Sequence, residues 1–546
     1  MKKIFNKPIL IAGFIALTGI AAINSPFVTG NYFEITKNIE LFANTFKELN
    51  TQYVDELDPG KLMKTGIDAM MKSLDPYTNY YSESQVEGFR YITEGKYNGI
   101  GVRFRLRDDY IMIMAPMDGS PAQKAGLKAG DMIMEVDGKS AKGKTEDELN
   151  SILQGFPGSE VTLKISRPAT GEMTLSVKRD EVNTKNVPHF EEISPNIGYI
   201  ALTTFTKNAA NNILDALKDL KSDNPNLKGL ILDLRDNGGG LLNEAVSICN
   251  IFVPKSEEIV STRGKVKDRD MVYRTTMNPS DEKIEIVVLV NKMSASASEI
   301  VSGALQDLDR AVIMGQRTFG KGLVQNFREI GYNARIKVTT AKYYVPSGRC
   351  IQAVSYVNGE PVPVADSLQA TFKTRNGRKV KDGGGVQPDV EIPITDKTDL
   401  MKALDDKLMI FDFATDYVNK NPTPVDVKTF SFIDWDAFLK FLKDKKFTYE
   451  SKTEHLLSQL KTEAEKSKMF STVQNEYSNL KNKIESEKQK DLAANKDRIL
   501  SLLSGEIASR FYYEKGRVQV KLKNDNEIKD AVELLNNPAK YNKILK

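Results

Sequence analysis

The stretch GLILDLRDNGGG, residues 229–240, runs from a nearly continuous apolar segment into a turn of three glycines. This pattern is typical of a buried strand that ends in a tight turn, and residues 241–252 continue as a helix. The alternation recurs downstream, where a buried strand at 284–290 precedes a helix at 297–308 and a strand at 311–314. Alternating strands and helices predict an α/β layer structure for this part of the chain.

Different patterns flank this layer on both sides. Residues 31–94 carry apolar side chains at helical spacing, 95–182 combine period-two strands with glycine turns, and the Lys/Glu-rich residues 397–546 return to helical spacing. We therefore predict a multidomain α/β protein with a signal sequence or anchor at 1–25, an N-terminal helical region, a β-rich domain, an α/β core at 183–396 and a helical C-terminal domain. We interpret the C-terminal domain as a stabilising or packing module in preference to a catalytic one.

Composition excludes several classes of function. Among 546 residues, Lys+Arg 77 and Asp+Glu 73 nearly balance, which gives no electrostatic reason to expect a nucleic-acid partner. Cys249 and Cys350 match no zinc or redox spacing, so we expect two unpaired thiols, no metal and no cofactor. The two histidines, His189 and His455, are interpreted as structural or exposed.

The N-terminus has the pattern of an export signal. Lysines at positions 2, 3 and 7 precede an uncharged, mostly apolar run at 9–23, as in a signal sequence. The run is short for a membrane-spanning helix, which needs ~20 apolar residues. We expect an exported, periplasmic protein that is either free or anchored to the inner membrane through its N-terminus. Whether the segment is cleaved stays open.

Three segments of the core have residues suited to catalysis. NKMSASASEI, residues 291–300, follows a strand and opens a helix, where free N–H groups and the helix dipole favour negative charge on a ligand; capping and tight packing are the alternative. TFGKGLVQ, residues 318–325, places Lys321 between glycines that allow close approach of another element. If the chain after Lys321 is extended, Gln325 lies on the same face as Lys321 and could hold its amine by a hydrogen bond. The glycines at 238–240 could form an oxyanion hole or cradle a phosphate, although no nucleotide-binding motif is present.

Together these segments resemble the carboxyl-terminal processing peptidases, also called tail-specific proteases. In that family a serine of the SASASE segment attacks the peptide bond, and a lysine 25 residues later is the general base. The resemblance implies Ser296, and not Ser294 or Ser298, as the nucleophile, because Lys321 follows Ser296 by 25 residues. The supporting glutamine of the family, four residues after the lysine, corresponds to Gln325.

The resemblance also implies an oxyanion hole and a way to activate the serine without histidine. The amide of Ala297 and a glycine of the turn, Gly240 or alternatively Gly239, would be the oxyanion donors. A lysine can act as the base only if its pKa falls from about 10.4 towards neutrality, and burial has this effect because desolvation disfavours the charged form. A neutral lysine could then accept the proton of the serine.

The β-rich residues 95–182 resemble a PDZ domain, which the family carries at this place. Its tail-binding loop would contain Gly99, Ile100, Gly101 and Val102, whose N–H groups would receive a terminal carboxylate while the peptide adds as a strand. We expect Ile100 and Val102 at the rim of an apolar pocket. The alternative is a PDZ domain that only regulates access to the protease.

The resemblance implies an extracytoplasmic serine endopeptidase with a crotonase-like ββα core. It would cut polypeptides near their free C-termini by means of a Ser–Lys dyad. A non-catalytic PDZ scaffold and an acyl-CoA enzyme are the competing hypotheses. The sequence leaves the natural substrate, the oligomeric state and any adaptor open.

Overall fold

The structure is a computed structural model, and it describes residues 32–82, 90, 93–168, 170–365, 367, 369–393 and 398–546. The predicted signal sequence or anchor at 1–25 lies outside these residues. Within these ranges, no helix combines the length and the apolar composition that crossing a membrane requires.

The described residues form fifteen helices. In chain order they are α1 (Tyr32–Gln52), α2 (Pro59–Lys72), α3 (Pro121–Lys124), α4 (Glu146–Leu153), α5 (Ala209–Asp223), α6 (Leu242–Phe252), α7 (Ala297–Asp307), α8 (Asp399–Asp406), α9 (Met409–Lys420), α10 (Trp435–Asp444), α11 (Lys452–Lys466), α12 (Phe470–Ala494), α13 (Lys496–Lys523), α14 (Asn526–Leu535) and α15 (Pro538–Ile544).

The strands of the same residues are mostly short. In chain order they are β1 (Asn79–Tyr81), β2 (Lys96–Gly99), β3 (Val102–Arg107), β4 (Tyr110–Pro116), β5 (Met132–Val136), β6 (Lys139–Ser140), β7 (Glu160–Arg167), β8 (Gly171–Lys178), β9 (Asp180–Asn183), β10 (His189–Ser194), β11 (Ile197–Ala201), β12 (Gly229–Asp233), β13 (Glu258–Gly264), β14 (Met271–Arg274), β15 (Glu285–Val290), β16 (Val312–Gly315), β17 (Leu323–Gly331), β18 (Ala334–Tyr344), β19 (Val354–Val357), β20 (Glu360–Pro363), β21 (Thr371–Lys373), β22 (Lys379–Lys381) and β23 (Val390–Glu391).

The central sheet confirms the predicted α/β class. Its six strands lie in the order β10-β11-β12-β15-β16-β23, and all neighbours except β10 and β11 are parallel. Helices α5, α6 and α7 cover one face, while the end of α13 with α14 and α15 covers the other. Because both faces are covered, β12 and β15 are almost wholly apolar and buried.

A second sheet lies beside the first and is built around the long strand β18. That strand pairs antiparallel with β17, β13 and β1. The helical prediction for 31–94 is wrong at residues 79–81, which form β1 against Arg335–Lys337. The reason is that Asp75 and Pro76 stop the helical pattern, and the tyrosines after them suit a strand. The N-terminal segment thereby becomes part of the second sheet.

The PDZ-like domain and the C-terminal helices have cores of their own. In the PDZ-like domain the sheet order is β3-β4-β5-β7-β8, so β3 is an edge strand. Helices α8, α9, α10 and α13 enclose an aromatic-rich cluster that includes Phe413, Phe432 and Phe438. The two domains also touch, because Arg107 of β3 donates to both carboxylate oxygens of Asp412, at 2.8 and 2.9 Å. The helical C-terminal domain predicted from the sequence is confirmed.

The last helix is fastened to the central sheet by one tyrosine. The hydroxyl of Tyr541, a buried residue, donates to Ile286 O at 3.0 Å and accepts from Ile286 N at 2.9 Å.

Tyr541→Phe should lower the free energy of unfolding by about 1–3 kcal/mol, because two buried backbone groups lose their partner. Denaturant unfolding measures the change. Tyr332→Phe, at a fully exposed position, should be neutral, and equal stability of both variants would contradict the packing described.

Candidate active site

Ser296 lies where the chain passes from β15 into helix α7. Its backbone has φ 57° and ψ −113°, a conformation that costs a non-glycine residue about 1–3 kcal/mol. The strain is held in place by surrounding contacts, including a bond from Ser296 N to Glu299 Oε2 at 2.8 Å. This geometry puts the serine at the N-terminus of a helix, as the sequence pattern predicts.

The two neighbouring serines have different tasks. Ser294 Oγ donates to Leu234 O, and Ser298 Oγ donates to Asn237 O, each at 2.8 Å. Both side chains are fully buried, whereas Ser296 lines a cavity. Ser294 and Ser298 therefore fasten the turn to the glycine-rich loop, and Ser296 is the serine that faces open space.

A buried carboxylate, Glu299, joins the serine segment to the lysine segment. Besides Ser296 N, it accepts hydrogen bonds from Thr318 Oγ1 at 2.6 Å, Gly320 N at 2.7 Å and Lys321 N at 2.8 Å. Burial raises the pKa of Glu299, and the four hydrogen bonds oppose that shift. Sequence reasoning missed this residue, although its place three residues after Ser296 is the spacing of a helix capping box.

Lys321 lies in a setting that favours the neutral amine. Burial, helped by the positive charge of Lys337, lowers the pKa of Lys321 to about 8, while the carboxylates of Glu299 and Asp75 oppose the shift. Its Nζ lies 4.3 Å from the ring centre of Tyr77. An amine with this pKa is partly neutral near pH 8 and can accept a proton.

Two tyrosines complete the surroundings of Lys321, and the sequence gives no signal for either. Tyr77 reaches the site because β1 joins the second sheet. The hydroxyl of Tyr343 lies 3.0 Å from Ser296 O and 2.5 Å from Lys321 O. It therefore holds the backbones of both residues at a fixed separation.

Gln325 lies in the same cavity but its hydrogen bond differs from the expected one. Its Nε2 donates to Thr339 Oγ1 at 3.3 Å, not to the amine of Lys321. A β-bulge between Val324 and Gln325 shifts the strand alternation on which the expectation rested. Thr339 N in turn donates to Thr78 Oγ1 at 3.2 Å, so Gln325 is tied to the N-terminal segment.

The glycine turn after β12 lies against Ser296. Gly239 N donates to Asn237 Oδ1 at 2.9 Å, so this N–H group is already used. Among the described residues, Gly240 N and Ala297 N have no acceptor, and both residues line the cavity. Of the two glycines suggested by the sequence, Gly240 is thus the one whose backbone N–H remains available as a hydrogen-bond donor.

The cavity has a volume of about 1090 Å³ and is shared by three regions of the chain. The core contributes Ser296, Lys321 and Gln325, the PDZ-like domain contributes Arg103, and the C-terminal domain contributes residues 512–515. No group of three or more His, Cys, Asp or Glu side chains in the described part of the chain is arranged to hold a metal ion.

The predicted tail-binding loop lies at the start of β3. Gly99 ends β2 opposite Asp180, and the carbonyls of Ile100 and Gly101 accept bonds from Ala122 N and Met117 N at 2.7 and 2.9 Å. The expectation that Ile100 and Val102 form the rim of a pocket is wrong, because both side chains are buried in the domain core. A contact from this loop to a peptide would be made by its backbone.

Comparison with known proteins finds three families along the chain. The model of peptidase family S41 matches residues 196–358, that of the PDZ domain matches 98–183, and that described as "Probable PDZ-protease, C-terminal helical domain" matches 400–535.

Individual relatives agree with these matches. A "Carboxy-terminal-processing protease" of Bartonella bacilliformis is 37% identical over 63% of this chain and 79% of its own length. A "Probable CtpA-like serine protease" of Staphylococcus aureus is 36% identical over 63% of this chain and 68% of its own. A solved photosystem II D1 C-terminal processing protease is 28% identical, covering 65% of this chain and 92% of its own, with a TM-score of 0.35.

The family models and the two curated relatives confirm the resemblance inferred from the three core segments. The family matches also account for the PDZ-like and helical C-terminal regions. Since the Bartonella relative is 37% identical and matched over 79% of its length, the chain belongs to the carboxy-terminal-processing protease family, as a serine protease of peptidase family S41.

Proposed function

We propose that this protein is an extracytoplasmic endopeptidase that cleaves polypeptides near their C-termini, with Ser296 as nucleophile and Lys321 as general base. The observation that carries the proposal is the shared anchor of the two residues. A serine at a strained helix start and a lysine with a pKa lowered to about 8 are both bonded through their backbones to Glu299, beside one cavity.

The proposed reaction begins when the neutral amine of Lys321 takes the proton of Ser296 as Oγ attacks the scissile carbonyl. Negative charge develops on the carbonyl oxygen, where Ala297 N–H and Gly240 N–H can donate and the N-terminus of α7 adds a favourable dipole. The lysine ammonium then gives its proton to the leaving amine as the C–N bond breaks. In a second half-reaction Lys321 activates a water molecule, which hydrolyses the acyl-serine.

Tyr77 and burial act on Lys321 in opposite directions. The ring face of Tyr77, 4.3 Å from Nζ, stabilises the ammonium form, while burial disfavours it. A base must be neutral before the reaction and charged during it, so a pKa near the working pH suits both half-reactions. Gln325, bonded to Thr339, is proposed as a support of the cavity wall beside the lysine.

Recognition of substrate tails is proposed for the PDZ domain. The named relatives are carboxy-terminal-processing proteases, and in this chain the free edge of β3 directly follows the loop that contains Gly101. A peptide could add to that edge as a further strand. Export is proposed from the basic and apolar residues at the N-terminus.

The nucleophile can be tested against its two neighbours. Ser296→Ala should abolish cleavage of an unstructured protein, because removing a catalytic nucleophile lowers kcat by many orders of magnitude. Ser294→Ala and Ser298→Ala should remain active but be less stable by about 0.5–1.5 kcal/mol, because each removes one buried hydrogen bond to a carbonyl that keeps a second donor from the backbone. Mass spectrometry of the fragments and denaturant unfolding give the two readouts. Cleavage by Ser296→Ala at the wild-type rate would refute the mechanism.

The role of Lys321 can be tested through pH. Its pKa is lowered in the folded state to about 8, so its burial costs stability fully below about pH 8 and not at all above the unfolded value of about 10.4. Lys321→Met should be inactive yet more stable at pH 7, by at most about 3 kcal/mol. The gain should shrink as the pH rises towards 10.

Unfolding of wild type, Lys321→Met and the exposed control Lys255→Met at several pH values gives the comparison. The control should show no such pH-dependent gain. Lys321→Arg should be inactive as well, since a guanidinium stays protonated at any usable pH. Substantial proteolysis by either Lys321 variant would mean that another group is the base.

Tail recognition can be tested on the full chain. In the uncleaving Ser296→Ala variant, a peptide with an apolar, free-acid C-terminus should bind about tenfold more tightly than the same peptide with a C-terminal amide, because the amide lacks the charge that backbone N–H groups would receive. Fluorescence anisotropy with the two labelled peptides measures both affinities. Equal affinities would remove the tail-recognition proposal and leave the protease proposal standing.

A further inference from the structure

Helix α13 of the C-terminal domain is interrupted at two tyrosines. Tyr512 has φ −128° and ψ 16°, and Tyr513 has φ 55° and ψ −146°. The second conformation lies near a region that glycine adopts almost alone. Ser296, with φ 57° and ψ −113°, has a similar backbone. Two strained non-glycine residues from different domains therefore line one cavity.

The interruption is built into the local sequence. A Cβ at Gly516 would lie 2.6 Å from Tyr512 Cβ and 2.9 Å from Ala508 O, so only glycine lets the chain fold back this closely. Glu506 binds arginines on both sides of the break, Arg510 at 2.7 Å and Arg517 at 2.9 Å. Ion pairs on both sides therefore hold the break in place.

The break also contacts the strand that would receive a substrate tail. Arg103 Nη2, at the start of β3, donates to Glu514 Oε2 at 3.0 Å. Arg103, Ser296 and the residues from Tyr512 to Lys515 all line the cavity. A polypeptide with its tail on the edge of β3 and its scissile bond at Ser296 would cross the space beside the two tyrosines.

We propose that Tyr512 and Tyr513 are specificity-determining residues that contact the substrate between its bound tail and its scissile bond. The inference rests on the proposed endopeptidase function and adds a substrate preference to it. Phenol rings offer flat apolar faces with a polar edge. The substrate segment that the two tyrosines contact carries apolar or aromatic side chains, which bury apolar surface against these faces.

Steady-state cleavage of a casein-derived fluorogenic peptide, together with mass spectrometry of casein fragments, tests the proposal. Tyr512→Ala and Tyr513→Gly should each raise KM about tenfold with little change in kcat, because they remove binding that ground state and transition state share. Wild-type cleavage sites should be enriched in apolar and aromatic residues, and both variants should lose that enrichment. Tyr477→Ala, in α12 outside the cavity, is the matched control and should behave as wild type.

Glycine replaces Tyr513 in this test because glycine adopts the backbone conformation of that position without strain, so the variant should fold. The Tm of Tyr513→Gly should therefore be no lower than that of wild type. Unchanged KM and unchanged cleavage sites in both folded variants would overturn the inference, and so would a loss of kcat at constant KM. Cleavage by Ser296→Ala would instead overturn the proposed function, whatever the tyrosine variants show.

Discussion

The site depends on one buried carboxylate. Glu299 receives four hydrogen bonds, two from the backbones of Ser296 and Lys321 and two from Thr318 and Gly320. A buried carboxylate without partners would be costly, whereas one with four donors is well satisfied. Because these donors come from both segments, Glu299 fixes the backbone of the strained serine relative to that of the buried lysine.

The glycines around Lys321 have a physical reason in this arrangement. A Cβ at Gly320 would lie 2.3 Å from Ala353 Cβ, and one at Gly322 would lie 2.7 Å from Gln352 N. The chain on either side of Lys321 is therefore pressed against its neighbours, which removes water from the lysine stem. Close backbone approach and the lowered pKa of Lys321 are two consequences of the same packing.

The sequence predicted what depends on local pattern. The apolar strands, the glycine turn and the helix that follows residues 291–296 determine the α/β class, and the family motifs identify Ser296 and Lys321 as candidates. The sequence did not predict the residues that long-range strand pairing brings into the site. Tyr77 and Tyr343 enter the site through the sheet around β18, and the bulge at Gln325 changes the partner expected for that side chain. Periodicity alone also could not reveal that Ile100 and Val102 point into a core.

The proposed catalysis depends on the protonation state of the Lys321 amine, and NMR titration of that amine tests it most directly. In the full chain with isotope-labelled lysine, the resonance of Lys321 is the one that disappears in Lys321→Met. We expect it to titrate with a midpoint about 8, well below the other lysines, and the rate of peptide cleavage to rise through the same pH range. A midpoint at the ordinary value of about 10.4, with cleavage already maximal at pH 7, would contradict the account.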